Sequence, residues 1–394
     1  MQRAEVISEL LKRANLTPPD LLAADVAAAL GDAGGNHLVI YVVDYEQVTL
    51  QPVALATELL DVRPEGVTIA GTMAGRAFQR QEVVSAETPG GWRVWAPLVE
   101  RAERVGVLEL GFATVDEELL PLCEDLGRLV GHLLHTAGRY TDLVDLRRRR
   151  RDMSLAAEMQ WDMLLPPLAF RSPEVGIAGL LEPAYEVAGD GFDYSLDGET
   201  LTFLMIDAMG HGLRATLAST LALAAFRHAR RSALGLAEIA HCMDRALASE
   251  FDGDTFVTGH IGSLDTATGR FRWVNAGHPP PLLARGSKVV AELACAPCYP
   301  LGLGILEPEI GECQLEPGDA LLFYSDGVIE ARPALDRGDQ FGVDRLKDLL
   351  ERNLGMGLVA SEVLRRTAAA VVEHRADRLE DDATLVVLEW RPAS

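Results

Sequence analysis

The sequence predicts an α/β chain of at least two domains joined by a helical segment. Three observations carry this. Strand-length runs such as HLVIYVVD at 37–44, LTFLMID at 201–207 and ALLFYSD at 320–326 alternate with helix-length amphipathic stretches. The 394 residues are enough, at roughly 100–200 residues per domain, for two or three domains. Between the two strand-rich regions, apolar residues run in 4/3 spacing through Leu126, Val130, Leu133, Ala137, Tyr140 and Val144 into five arginines, Arg147–Arg151, the pattern of a helical connection with a short coiled-coil seam.

Taken in order, residues 1–31 have helical periodicity broken at Pro18-Pro19 and ended near Gly31. Residues 37–44 form a strand, and Gly71–Arg80 reads as a glycine-punctuated turn into a helix. Gly91–Glu100 and Arg104–Phe112 are two further strands, and Val115–Ala137 is a helix with acids in its first turn, at the positive end of its dipole. The seam resumes at Met153, Ala157 and Leu164 until Pro166-Pro167 stops it. Strand signals return near residue 174. Leu201–Asp207 ends in an acid, Gly210–Gly212 is a turn, and Leu213–Arg231 and Ala237–Ser249 are helices. Thr255–Leu264 and Arg270–Val274 flank a turn at Thr266–Gly269, as in a hairpin. Ala320–Asp326 is a strand that again ends in an acid, Asp344–Asn353 and Ser361–His374 are helices, and Thr384–Trp390 is the closing strand. The expected division is an N-terminal domain over 1–136, a helical linker over 137–167 and a C-terminal domain over 168–394.

Composition narrows the function classes. Apolar residues make up 48% and charged residues 24%, which excludes a disordered or fibrous chain. No apolar run approaches the ~18 residues of a membrane span. The N-terminal MQRAEVISELLKRANL lacks the apolar core and cleavage site of a signal peptide. The net charge of −23 argues against nucleic acid or an anionic membrane as the main partner. Five cysteines do not make a disulfide framework. A cytoplasmic protein is expected.

Four acidic motifs stand out in the C-terminal half: Gly189-Asp190-Gly191-Phe192-Asp193, Asp207-Ala208-Met209-Gly210-His211-Gly212, Ser325-Asp326-Gly327 and Asp381-Asp382-Ala383-Thr384. Each puts an Asp at a strand end or an adjacent turn, and three have a glycine nearby that lets backbone approach a ligand closely. Carboxylates gathered in one pocket cannot all stay ionised without cations, and hard oxygen ligands suit Mg²⁺ or Mn²⁺ rather than Zn²⁺. Two such ions, about 3.5–4 Å apart, would bind a phosphate and activate water between them. A single Asp-Gly is ordinarily a plain turn, so the residues alone leave both readings open.

The order of motifs makes the comparison specific. Residues 153–391 resemble a PPM-type, metal-dependent serine/threonine protein phosphatase, in the bacterial branch that regulates sporulation and stress sigma factors. The resemblance rests on Leu155–Gln160 with Leu164–Pro167, Gly189-Asp190, Asp207–Gly212, Asn275–Pro280, Pro300–Gly302, Gly318-Asp319, Tyr324–Gly327, Phe341-Gly342 and Asp381–Thr384. It implies a β-sandwich flanked by helices. It also implies two Mn²⁺ or Mg²⁺ ions shared by Asp190 and Asp207, completed by the carbonyl of Ala208 and closed by Asp326 and Asp381, with a metal-bridging water attacking phosphorus in line. The helices after Gly212 resemble a regulatory switch. The implied substrate is a phosphorylated anti-sigma-factor antagonist. The sequence departs from the pattern in having Ala208 after Asp207, and no counterpart is found of the phosphate-gripping arginine of eukaryotic relatives. A non-catalytic phosphoprotein-binding module and a small-metabolite phosphohydrolase are the alternatives. The first segment resembles a GAF-type sensory domain, which implies a small-molecule ligand or a dimerisation role.

Other residues admit plainer readings. Asp193 is either a further metal-site acid or structural. His211 is either a proton carrier or part of a turn, and His278 shapes the Asn275–Pro280 turn. Cys295 and Cys298 have CxxC spacing without a second pair, so zinc is not expected. Cys123 reads as a core residue, and His132 and His135 as surface residues. Arg147–Arg151 form a solvated face or an intramolecular docking patch. The Leu126–Val144 seam predicts a homodimer through a helix over 126–164.

Overall fold

The computed structural model describes residues 3–31, 34–55, 65–182, 185, 189–333, 339–375 and 382–392. They fall into two compact units, Met1–Asp152 and Met153–Ser394.

The first unit opens with helices α1 (Arg3–Ala14) and α2 (Leu22–Leu30), separated at Pro18-Pro19 by a turn of 3₁₀ helix. Strands β1 (Gly35–Val43), β2 (Thr49–Leu55) and β3 (Val67–Thr68) follow, then helix α3 (Met73–Arg80) and strands β4 (Val84–Thr88), β5 (Gly91–Glu100) and β6 (Glu103–Phe112). Helices α4 (Leu119–Ala137) and α5 (Leu143–Arg148) complete it. The strands form one antiparallel sheet in the order β3-β2-β1-β6-β5-β4. Leu38, Ile40, Leu108 and Leu110 bury one face against Val6, Leu10, Val26, Leu122 and Leu126. Val39, Tyr41, Val43 and Val107 bury the other against Ile69, Ala74 and Phe78. A central strand covered on both faces has no polar side to alternate with, which is why β1 reads as a continuous apolar run.

The structure corrects the reading of the seam. Helix α4 ends at Ala137, α5 is separate, and the next helix begins only at Leu155, so 126–164 is not one helix. Leu126, Val130 and Leu134 are buried in their own unit's core. The helix lies close to β5: a Cβ on Gly131 would come within 2.8 Å of the Val99 amide nitrogen. The first part of the stripe that predicted a dimer, Leu126 and Val130, therefore covers the chain's own sheet, whereas Tyr140 is exposed. The arginine run docks locally. Arg148 stacks on Tyr45 at 4.3 Å and donates to the Val43 carbonyl at 3.2 Å, and Arg150 and Arg151 each meet Glu46 at 3.0 Å. Cys123 is fully buried, and burial pushes its thiol up to about 12.

The second unit starts with the short helix α6 (Leu155–Met159), capped by the Ser154 side chain, and a π-helical turn at Gln160–Leu164. Strands β7 (Ala169–Arg171), β8 (Val175–Glu182), β9 (Gly191–Asp197) and β10 (Thr200–Ala208) lead to helices α7 (Leu213–Arg231) and α8 (Leu236–Phe251). Then come β11 (Val257–Asp265), β12 (Arg270–Ala276), β13 (Leu282–Arg285), β14 (Lys288–Glu292), β15 (Ile310–Gln314) and β16 (Ala320–Tyr324). Helices α9 (Asp326–Ile329), α10 (Val343–Gly355) and α11 (Ala360–His374) precede the last strand, β17 (Ala383–Trp390).

Two antiparallel sheets, β15-β12-β11-β10-β9 and β14-β13-β16-β17-β8-β7, pack face to face. Phe192, Phe203 and Phe271 of the first meet Ile177, Phe323 and Val386 of the second, with the Phe203 and Phe323 rings 4.6 Å apart. Leu204, Ile206, Ile261 and Val274 cover the outer face of the first sheet under α7 and α8. Helix α11 lies on β8 and β17 of the second. Among the described residues no helix is long and apolar enough to cross a membrane.

Candidate functional site

Strands of both sheets end where these acids lie. Asp190 immediately precedes β9, and Asp207 is the penultimate residue of β10. Strands β9 and β10 pair with Ile206 opposite Gly191, which brings the two acids to the same end of the first sheet. Asp326 opens α9 directly after β16. Strand β16 pairs with β17, and the Ser325 amide donates to the Thr384 carbonyl at 3.0 Å, so Asp326 lies beside the start of β17. Asp381, the remaining predicted acid, lies outside the described residues. Its neighbour Asp382 is described and buried.

Glycines permit the close approach. A Cβ on Gly327 would fall 1.9 Å from the Asp382 carbonyl oxygen, so only glycine fits after Asp326. Gly210 and Gly212 take positive φ of 86° and 73°, turning the chain from β10 into α7. The Ala208 amide donates to the Gly189 carbonyl at 3.3 Å, and Gly189 packs against the Ala208 carbonyl. The Ser219 hydroxyl on α7 also donates to the Gly189 carbonyl. Helix α7 is thus stitched to the loop that carries Asp190.

Asp190 is 1% exposed, and its Oδ2 has no hydrogen-bond partner. Burial, then the carboxylates of Asp207 and Asp382, drive its carboxyl well above the usual carboxylate range. The Thr384 and Ser325 hydroxyls oppose the shift. Without a counter-charge this environment disfavours the ionised carboxylate; a divalent cation would restore it, and an all-oxygen donor set fits a hard ion such as Mg²⁺ or Mn²⁺. Among the described residues, no three His, Cys, Asp or Glu side chains converge into a cluster that would hold an ion alone.

Two residues near Asp190 escaped the sequence reading as parts of the site. Gln160, fully buried, donates from Nε2 to the Asp190 carbonyl at 2.9 Å. Asp382 Oδ2 accepts the Asp190 amide at 3.1 Å. Their signal lay in motifs already quoted, at the end of Leu155–Gln160 and in the second acid of Asp381-Asp382. Asp193 proves structural. Its Oδ2 meets Arg227 Nε at 2.5 Å and its Oδ1 meets Arg230 NH1 at 2.6 Å, both from α7.

The histidines divide. His211 is exposed in its turn. His278 is buried in a loop that closes on itself: Asn275 Oδ1 accepts the His278 amide at 2.7 Å, and Asn275 Nδ2 donates to the His278 carbonyl at 2.9 Å. His260 lies between the sheets, with Nε2 at 2.8 Å from the Pro279 carbonyl, and burial pushes its pKa down to about 4. Burial also lowers His278. A histidine depressed on folding contributes stability above its unfolded pKa and loses it as pH falls towards the folded value. His260 is therefore expected to cost about 3 kcal/mol of stability between pH ~6.5 and ~4. Melting curves across that range test this. His260→Gln should flatten the slope, and an unchanged slope in the variant would refute the assignment.

A family model described as stage II sporulation protein E (SpoIIE) matches residues 197–391. The phosphoserine phosphatase RsbP of Bacillus subtilis (strain 168) is 28% identical over 187 residues, covering 46% of this chain and 46% of RsbP. The phosphoserine phosphatase RsbU of the same organism is 23% identical over 244 residues, covering 60% of this chain and 69% of RsbU. The solved RsbU and RsbW domains of a Mycobacterium tuberculosis protein align at 26% identity and a TM-score of 0.48, over 59% of this chain and 63% of that one. The chain thus spans less than half the length of RsbP.

Proposed function

We propose that this chain, whose residues 197–391 carry a SpoIIE-type phosphatase domain of the PPM kind, hydrolyses phosphoserine or phosphothreonine on a protein with the aid of divalent cations. The observation that carries the reading is Asp190, buried with a bare carboxylate oxygen among Asp207 and Asp382. Asp190, Asp207, Asp326, Asp381 and the Ala208 carbonyl would hold Mn²⁺ or Mg²⁺. Two such ions, when bound, supply a nucleophile active at neutral pH and neutralise phosphoryl charge. The chain's part is to fix the acids in place. The pairing of β9 with β10 supports this by bringing Asp207 and the residue before Gly191 to one strand end, as does that of β16 with β17 beside Asp326, and the glycines allow close backbone approach.

The favoured substrate is a phosphorylated anti-sigma-factor antagonist. An exposed apolar stripe beside the site supports a protein substrate. Met209 is 43% exposed, Leu213 45% and Leu217 46%, and the last two are one turn apart at the start of α7. The first unit, read as GAF-like, would bind a small molecule and set the activity of the second.

The test is hydrolysis of p-nitrophenyl phosphate and of a phosphoserine protein substrate, with Mn²⁺ or with EDTA. Mn²⁺-dependent turnover of both is expected. No turnover at saturating Mn²⁺ would refute the reading, and a strong preference for small phosphomonoesters would point to a metabolite phosphohydrolase. Leu217→Arg should lower kcat/KM on the phosphoprotein about tenfold, the size of one contact worth 1–2 kcal/mol, and leave p-nitrophenyl phosphate hydrolysis unchanged. Equal loss on both substrates would mean that the stripe does not receive the protein.

A further inference from the structure

We propose that Gln160 is the positioning residue for Asp190, and through it sets the divalent-cation affinity of the site; this rests on the functional reading above. Asp190 belongs to no strand or helix: β9 begins one residue later, at Gly191. Its main chain is held from both sides instead. Asp382 Oδ2 accepts its amide at 3.1 Å, and Gln160 Nε2 donates to its carbonyl at 2.9 Å. The same Gln160 nitrogen lies 3.4 Å from Asp382 Oδ2, closing a ring of three residues far apart in sequence.

The chemistry of this ring requires an amide at position 160. Both of its targets, a carbonyl and a carboxylate, are acceptors, so one atom must supply two donors. A carboxamide nitrogen carries two N–H groups without adding charge. A hydroxyl carries one, and a carboxylate carries none. The side chain is fully buried, so water cannot replace the lost donor cheaply.

The place of Gln160 in the chain gives the contact a second meaning. It opens the π-helical turn after α6, and α6 begins at the Ser154 cap, two residues beyond the first unit. The Ser154 amide in turn donates to the carbonyl of Tyr185, itself fully buried. The segment that enters the second unit is therefore tied by hydrogen bonds to the stretch on either side of residues 186–188 and to Asp190. A displacement of this segment would be felt at Asp190 before it reached the strands.

The experiment measures Mn²⁺ affinity of the full chain by calorimetry, for wild type, Gln160→Met and Gln160→Glu, with melting temperatures in EDTA. Leu350→Ala, buried on α10, a helix that packs on α11 and β14, serves as a variant destabilised by packing alone. Both Gln160 variants are expected to raise the apparent Kd for Mn²⁺ about 10–100-fold, the range seen when partners of metal ligands are removed. They should recover most of kcat at saturating Mn²⁺. Leu350→Ala should lose melting temperature while keeping wild-type affinity. Gln160 variants that lose melting temperature and keep wild-type Mn²⁺ affinity would overturn the proposal and leave the phosphatase reading intact. A wild-type chain that binds no Mn²⁺ would overturn the reading itself and this inference with it.

Discussion

Asp207→Asn is expected to abolish most phosphatase activity while leaving the fold intact. Asp207 is the penultimate residue of β10, and its strand pairing opposite Thr258 uses the main chain, which the substitution does not touch. What changes is charge. Asn keeps one oxygen but removes a negative charge from a group of acids whose proximity already raises Asp190. Changes to the partners of metal ligands cost about 10–100-fold in metal affinity or activity, so loss of a ligand charge should cost at least as much. Without metal the variant should be as stable as wild type or slightly more so, because carboxylate repulsion falls. Activity during Mn²⁺ titration, beside melting in EDTA, reads both effects. A folded variant that retained more than about a tenth of wild-type activity at saturating Mn²⁺ would remove Asp207 from the ligand set.

Asp193→Ala is expected to cause the largest loss of stability among single changes at this end of the molecule. The Asp193 side chain is 4% exposed and faces Arg230 and Arg227, whose side chains are 13% and 29% exposed. Removing one partner of a buried pair costs about 3–5 kcal/mol because the other charge is stranded. Here both arginines retain some access to water, which places the cost near 3 kcal/mol. For a unit of this size that is a fall in Tm of roughly 6–12 °C. Since the pair fastens α7 to β9, the contact of Ser219 with Gly189 should loosen too, and Mn²⁺ affinity should fall with Tm. Calorimetric melting and Mn²⁺ titration check this. A Tm within about 2 °C of wild type would show that the ion pair contributes little.

Long elements with a strong apolar pattern were legible in the sequence. The helix expected over Ala237–Ser249 runs from Leu236 to Phe251, and the strand expected over Leu201–Asp207 runs from Thr200 to Ala208. The missed strands have weaker patterns. In β9 (GFDYSLD) a buried acid paired with arginines sits where an apolar residue would mark the core face. β13 and β14 are four and five residues long, too short for periodicity to register. The seam went wrong for a different reason. Heptad spacing shows that a helix has an apolar stripe but not whether another helix or the helix's own sheet covers it. Gly127 and Gly131, on the side of α4 packed against β5, were the local sign of a sheet. The placement of Asp190, Asp207 and Asp326 at or beside strand ends was legible because acids there are chemically conspicuous. Gln160 and Asp382 were not, because their importance lies in a ring of hydrogen bonds that exists only after folding.

Strand β17 sets a condition on how the second unit comes into being. It lies between β16 and β8 in the middle of its sheet, and its residues 383–390 pair with residues 175–182. Pairing across so long a stretch of chain must close a large loop before any contact rewards it, and such topologies fold slowly. During synthesis from the N-terminus, the second sheet remains in two pieces until its last strand emerges. The hydrogen bond from the Asp190 amide to Asp382 forms no earlier. The surroundings of Asp190 are therefore complete only once β17 has been made, and a chain truncated before β17 would leave uncovered the part of the sandwich core that Val386 and Leu388 seal, a surface prone to aggregation.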